Sequence, residues 1–118
     1  MLHWRASRVR AVERVVDAGE ADARVLDHLA ALGCDPSQPR ECRHYMYLPA
    51  ELGARAVAQV LNGDGWDAEF EQVPEAWLVT ATTFTGLSDE SVRQTRSRMQ
   101  LLASDYGGEY DGWEAAAD

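Results

Sequence analysis

The sequence predicts one α+β domain in which the order strand, helix, strand, strand, helix, strand follows an N-terminal helical segment. Three observations carry that expectation. Cys42 to Leu48 and Trp66 to Val73 alternate in side-chain character with the period of two that a strand imposes. Ala50 to Leu61 and Ser88 to Tyr106 repeat apolar residues at the three- and four-residue spacing of a helix. Between two strand-like runs, Pro74 and Glu75 form a connection short enough for a hairpin. At 118 residues the chain suits one domain with a modest core, and its 46% hydrophobic and 26% charged content excludes disorder as a whole.

The elements follow in order. The first 33 residues read as helical, with Val9, Val12 and Val16 spaced for one face and Val25, Leu26, Leu29 and Leu32 for another. Gly19 divides them, and Gly33 is placed as the stop. The linker CDPSQPREC carries two prolines and ends any helix. In CRHYMYL, Cys42, His44, Met46 and Leu48 share one face and Arg43, Tyr45 and Tyr47 the other; large groups on both suit a central strand. Ala50, Ala54, Val57, Ala58 and Leu61 then mark a helix that NGDG closes.

WDAEFEQV sets Trp66, Ala68 and Phe70 against Asp67, Glu69 and Glu71. Across the hairpin, AWLVTATT puts Trp77, Val79 and Ala81 on a single face. Ser88 is a natural N-cap, with Asp89 and Glu90 in the first turn where the helix dipole favours them. Gly107 and Gly108 end that helix, and a final strand of five or six residues remains. The expected result is a ferredoxin-like βαββαβ sandwich with an N-terminal helical extension, divided into residues 1–33 and 42–114.

The charge narrows the function. All 11 basic residues are arginine, against 20 Asp and Glu, for a net charge of -9. Residues 1–62 hold 8 Arg and 8 carboxylates, whereas residues 63–118 hold 3 Arg and 12 carboxylates. A field of that sign repels phosphate backbones, favours a basic partner and keeps a small protein in solution. MLHWRASRVR has no secretory character, and no apolar run approaches the roughly 20 residues that span a bilayer, so a cytoplasmic, reducing setting without membrane contact is expected.

Chemistry is harder to find. Cys34 and Cys42 with His44, and His28 or His3, can be drawn as a metal site, but the spacing matches no paired Cys/His knuckle; no metal or other cofactor is expected. Tyr45 and Tyr47 sit where an RNA-binding sheet carries stacking aromatics, yet their neighbours are Asp67, Glu69 and Glu71 rather than lysine or arginine, which argues against direct nucleic-acid binding. No serine elbow, phosphate-cradling loop or metal-histidine pair appears, so no catalytic residue is assigned. Two alternatives stand beside a protein-binding role: a small-molecule-sensing module, and an acidic metal-dependent hydrolase built on Asp67, Glu69 and Asp111.

The segment DYGGEYDGWE concentrates three glycines and three aromatics in ten residues. Gly107 and Gly108 supply a stop and a hinge, and Asp111-Gly112 a bend. Tyr110 and Trp113 either staple the last strand to the core or form an anchor ringed by Glu109, Asp111 and Glu114. Strand alternation favours Tyr110 inward and Trp113 with Glu114 nearer the surface. The candidate partner-binding residues are therefore Asp67, Glu69, Glu71, Glu109, Asp111, Trp113 and Glu114; Gly107, Gly108, Tyr110 and Gly112 form the structural motif.

GGEYDGWE after a helix, preceded by GCDPSQPRECRHYMYLP, a short helix, GWDAEFE and WLVTAT, resembles the family of regulators of ribonuclease E activity, type B (RraB), over roughly residues 25–114. The Y-D-G-W signature is the specific part. The resemblance implies a small acidic cytoplasmic protein with a ferredoxin-like domain that binds ribonuclease E, or a related RNA-degrading enzyme, and inhibits its cleavage without being a nuclease. It implies no catalytic residue.

Overall fold

The computed structural model describes residues 2–6 and 18–117. Its elements are β1 (Leu2–Ala6), α1 (Ala18–Ala31), β2 (Arg40–Leu48), α2 (Glu51–Gly63), β3 (Asp67–Val73), β4 (Ala76–Thr85), α3 (Asp89–Asp105) and β5 (Glu109–Ala117). The strands form one antiparallel sheet in the order β1-β5-β2-β4-β3, which is the ferredoxin-like arrangement of β2 to β5 with β1 added beside β5. The helical extension is present as α1. Leu2–Ala6, read as helical in the sequence, is instead a strand, paired from Leu2↔Ala117 to Ala6↔Trp113. Val9, Val12 and Val16 lie outside the described residues.

Each helix buries the stripe that its spacing predicts. α1 sends in Val25 and Leu29, α2 Ala54, Val57, Ala58 and Leu61, and α3 Val92, Met99 and Ala103. They meet Cys42, Met46 and Leu48 of β2, Val79 and Ala81 of β4 and Trp113 and Ala115 of β5. All three helices stop alike: the amide after a positive-φ glycine (Gly33, Gly65, Gly107) donates back five residues, to Leu29, Leu61 and Ala103. α3 starts on a reciprocal cap, with Ser91 N–H donating to Ser88 Oγ and Ser88 N–H to Ser91 Oγ.

The helices cover one face of the sheet. Alternation along β2 is complete, with Arg40, Cys42, His44, Met46 and Leu48 buried while Glu41, Arg43, Tyr45 and Tyr47 keep partial exposure. β2 is central, but its second face is open rather than packed.

The hairpin between β3 and β4 turns through Pro74 and Glu75, with Val73 paired to Ala76. Glu75 has φ 66, the left-handed value that the second central residue of a type II turn requires and that a side chain opposes. Glu75→Gly should therefore raise stability by about 0.5–1 kcal/mol, seen as a higher midpoint in thermal and denaturant unfolding.

Candidate functional site

The signature segment decides what faces where. β5 pairs with β2 as Tyr45↔Gly112 and then Met46↔Tyr110, so Asp111 is an extra residue, a β-bulge, and Gly112 takes φ 102. The bulge shifts the alternation by one. Tyr110 and Trp113, which an uninterrupted strand would set on opposite faces, both point under the helices, at 7% and 1% exposure. Trp113 is therefore not a surface anchor: the sequence expectation carried a period of two across a residue that breaks it. Gly108 has its own necessity, since a Cβ there would lie 2.3 Å from the Tyr47 carbonyl oxygen.

Around these rings the polar groups are paired. Trp113 Nε1 donates to Asp22 Oδ1 at 2.8 Å, and Arg96 Nε donates to Asp22 Oδ2 at 2.6 Å, so one buried carboxylate joins α1, α3 and β5. His44 is buried beside them, its ring centroid 5.9 Å from those of Trp113 and Tyr110 and 5.3 Å from Trp66, with Nδ1 2.8 Å from the Tyr110 hydroxyl. Burial pushes the His44 imidazole down from 6.5 to about 3, keeping it neutral. Burial likewise raises the Cys42 thiol to about 11, and both cysteines are free. A cleft of about 200 Å³ between the end of α2 and the start of α3 reaches down to His44 and Cys42.

The open face is built differently. Register aligns its side chains in three rungs: Asp67, Thr82, Arg43 and Glu114; Glu69, Thr80, Tyr45 and Gly112; Glu71, Leu78, Tyr47 and Glu109. Glu41 and Phe84 pair beyond the first, and Arg5 of β1 stands opposite Glu114 in register. Asp67, Glu69 and Glu71 are exposed on β3, and Arg43 is bound to Glu41 at 3.2 Å. Tyr45 donates to Glu114; burial, then that bond, hold its phenol above the ordinary value. A shallow groove of about 340 Å³ runs between Glu41, Arg43, Asp67, Glu69, Thr80 and Thr82.

Of the sequence candidates, Asp67, Glu69, Glu71, Glu109 and Glu114 thus share one face, Asp111 sits in the bulge, and Trp113 is on the other side. Phe84, 72% exposed at the end of β4 on the open face, was missed. Its place in a β-branched run offered no warning, because its exposure follows from lying on the sheet face that the helices leave open. Asp111 lies on β5, three strands from Asp67 and Glu69, or about 14 Å at the usual strand spacing. Among the described residues no group of three or more His, Cys, Asp or Glu could hold a metal ion. No helix among them is long and apolar enough to cross a membrane.

A domain with this topology, a glycine bulge in its last strand and a buried Y-D-G-W can be compared with known proteins. A family model described as "Regulator of ribonuclease activity B" (RraB) matches residues 19–115. The chain belongs to the RraB family. No curated protein matches it significantly. RraB is a family of regulators of ribonuclease activity rather than of catalysts, so the relevant question is which surface meets another protein. The aromatic residues of the Y-D-G-W segment that marks RraB in this sequence, Tyr110 and Trp113, are buried, and their role in this domain is to close the core.

Two outcomes test that role. Trp113→Ala should cost about 3–5 kcal/mol in denaturant unfolding, and Asp22→Ala a similar amount because it strands the Arg96 guanidinium and the indole N–H. Acid should also weaken the fold through His44. Unfolded histidine binds a proton as pH falls through 6.5, whereas the folded ring resists until about 3, so stability present at neutral pH is lost across that window. The loss should reach about 2 kcal/mol by about pH 5. A His44→Asn variant should lack this part of the slope when the two are compared by urea melts.

Proposed function

We propose that this RraB protein inhibits or modulates ribonuclease E, or a related RNA-degrading enzyme, by covering a basic surface of that enzyme with its open sheet face. One observation supports the reading above others: the face left free by three helices carries Glu41, Asp67, Glu69, Glu71, Glu109 and Glu114 around Tyr45, Tyr47 and Phe84. Acidic groups around exposed and half-exposed aromatics suit a basic protein surface and repel RNA. A cytoplasmic setting goes with this proposal. Inhibition then needs no chemistry of its own: a bound regulator that occupies arginines on the enzyme denies them to RNA.

Electrostatic steering predicts that association with the ribonuclease slows and affinity falls as salt rises, since screening shortens the reach of charge to about 8 Å at physiological ionic strength. The double reversal Glu69→Arg with Glu71→Arg should reduce the association rate at least about 10-fold in a surface-binding experiment while the thermal midpoint stays within a few degrees, both side chains being exposed. Binding that is indifferent to salt and to this double variant would remove the proposal. Separately, the purified protein should leave single-stranded RNA intact with magnesium or manganese present. Cleavage that disappears in Asp67→Asn would instead make the acidic face catalytic.

A further inference from the structure

The sheet ends on β3, and its register tells which backbone groups are already used. Because the two-residue turn of Pro74 and Glu75 joins β3 to β4, Val73 and Ala76 form the hydrogen-bonded pair that closes the hairpin. Counting back by two, Asp67, Glu69 and Glu71 also turn their N–H and C=O groups toward β4. Ala68, Phe70 and Gln72 turn theirs outward. The Asn62 side chain gives the same polarity independently: it accepts from the Ala68 N–H at 2.9 Å and donates to the Ala68 carbonyl at 3.1 Å, as a residue of a neighbouring strand would. The end of α2 thus fills the first position along the edge. Phe70 and Gln72 are the next two, and among the described residues no strand lies beyond them.

The side chains say what could pair there. Asp67, Glu69 and Glu71 stand at alternate positions about 7 Å apart on the open face. If an antiparallel strand were added against Phe70 and Gln72, these carboxylates would occupy the non-hydrogen-bonded pairs of the new ladder, where facing side chains come closest. A second copy of β3, paired antiparallel through Phe70, would set Glu69 against Glu71 and Glu71 against Glu69, so the edge disfavours its own kind. An extended segment with arginine at alternate positions meets each carboxylate with a guanidinium instead.

We propose that β3 is a strand-addition edge, and that the partner supplies an extended, arginine-bearing segment which joins the sheet as its sixth strand. The inference rests on the reading that the open face meets a basic partner, and it adds the form of that partner: an unfolded stretch of chain, held by backbone bonds at Phe70 and Gln72 and selected by charge at Asp67, Glu69 and Glu71.

The test uses the full chain and a synthetic seven-residue peptide with arginine at its second, fourth and sixth positions and threonine elsewhere. On saturation, the Phe70 and Gln72 amides should gain protection from hydrogen exchange. Methylating the peptide's backbone nitrogens between the arginines keeps its charge and should weaken binding at least about 10-fold. Gln72→Pro removes an outward N–H that β4 does not use, a position where an edge strand tolerates proline. It should melt within a few degrees of the parent yet bind the peptide at least about 10-fold more weakly. A peptide that does not bind, or equal affinity for the methylated and unmethylated peptides, overturns the proposal; that comparison needs only the unaltered protein and stands even if Gln72→Pro fails to fold. Ribonuclease binding that survives Gln72→Pro but is lost on reversal of Glu69 and Glu71 would overturn strand addition alone, whereas binding that survives both overturns the open-face reading with it.

Discussion

The bond from the Trp113 indole to Asp22 is the contact on which the rest of this domain is arranged. A buried indole N–H needs an acceptor, and a buried carboxylate needs compensating donors; each supplies the other's requirement, with Arg96 completing the charge balance. Because the three groups come from β5, α1 and α3, the contact fixes how the extra helix sits against the ferredoxin-like core. It also depends on a backbone feature. Only the bulge at Asp111, with Gly112 at positive φ, lets Trp113 follow Tyr110 to the same side of the sheet. Tyr110 and Trp113 can then flank His44, a polar ring held neutral in a site where only one of its nitrogens has a protein partner among the described residues.

That dependence explains what could be read from the sequence. The four ferredoxin-like strands and their two helices announce themselves through local rules: capping at Ser88, stops at glycine, a two-residue turn, and clean alternation in β3 and β4. These signals are short-range, so a single chain carries them in full. The errors are long-range. Leu2–Ala6 has no helix or strand signature strong enough to stand alone and is a strand because β5 offers it a partner. Arg40 reads as the end of a polar linker but opens β2, where its guanidinium donates to the carbonyls of Asp35 and Ala116, groups far apart in sequence. Trp113 was turned the wrong way because a bulge is defined by two strands, and sequence supplies only one of them at a time.

The same division separates recognition from stability. Of the residues that mark the family, Tyr110 and Trp113 are under the helices, where a change disturbs folding. The residues proposed to meet a partner lie on the other face, where their solvation makes each worth little to the fold. This is why carboxylates can be gathered on β3: exposed charges at alternate positions repel weakly in water, and the ladder to β4 and the packing of α2 carry the strand regardless. Ion pairs such as Arg24 with Glu20 and Arg55 with Glu51 are local and exposed, and each cancels one arginine with one acid away from the open face.

An acidic face of this kind acts mainly on rate and on choice of partner. Its carboxylates stay hydrated until something displaces the water, so they favour a partner that brings its own hydrogen-bond donors in matching geometry. Guanidinium groups do so, being planar, weakly hydrated and able to bind a carboxylate through two parallel bonds. RNA, which brings phosphate, meets the same face as a barrier. A face of this sign and spacing therefore favours arginine over phosphate without resembling RNA in shape.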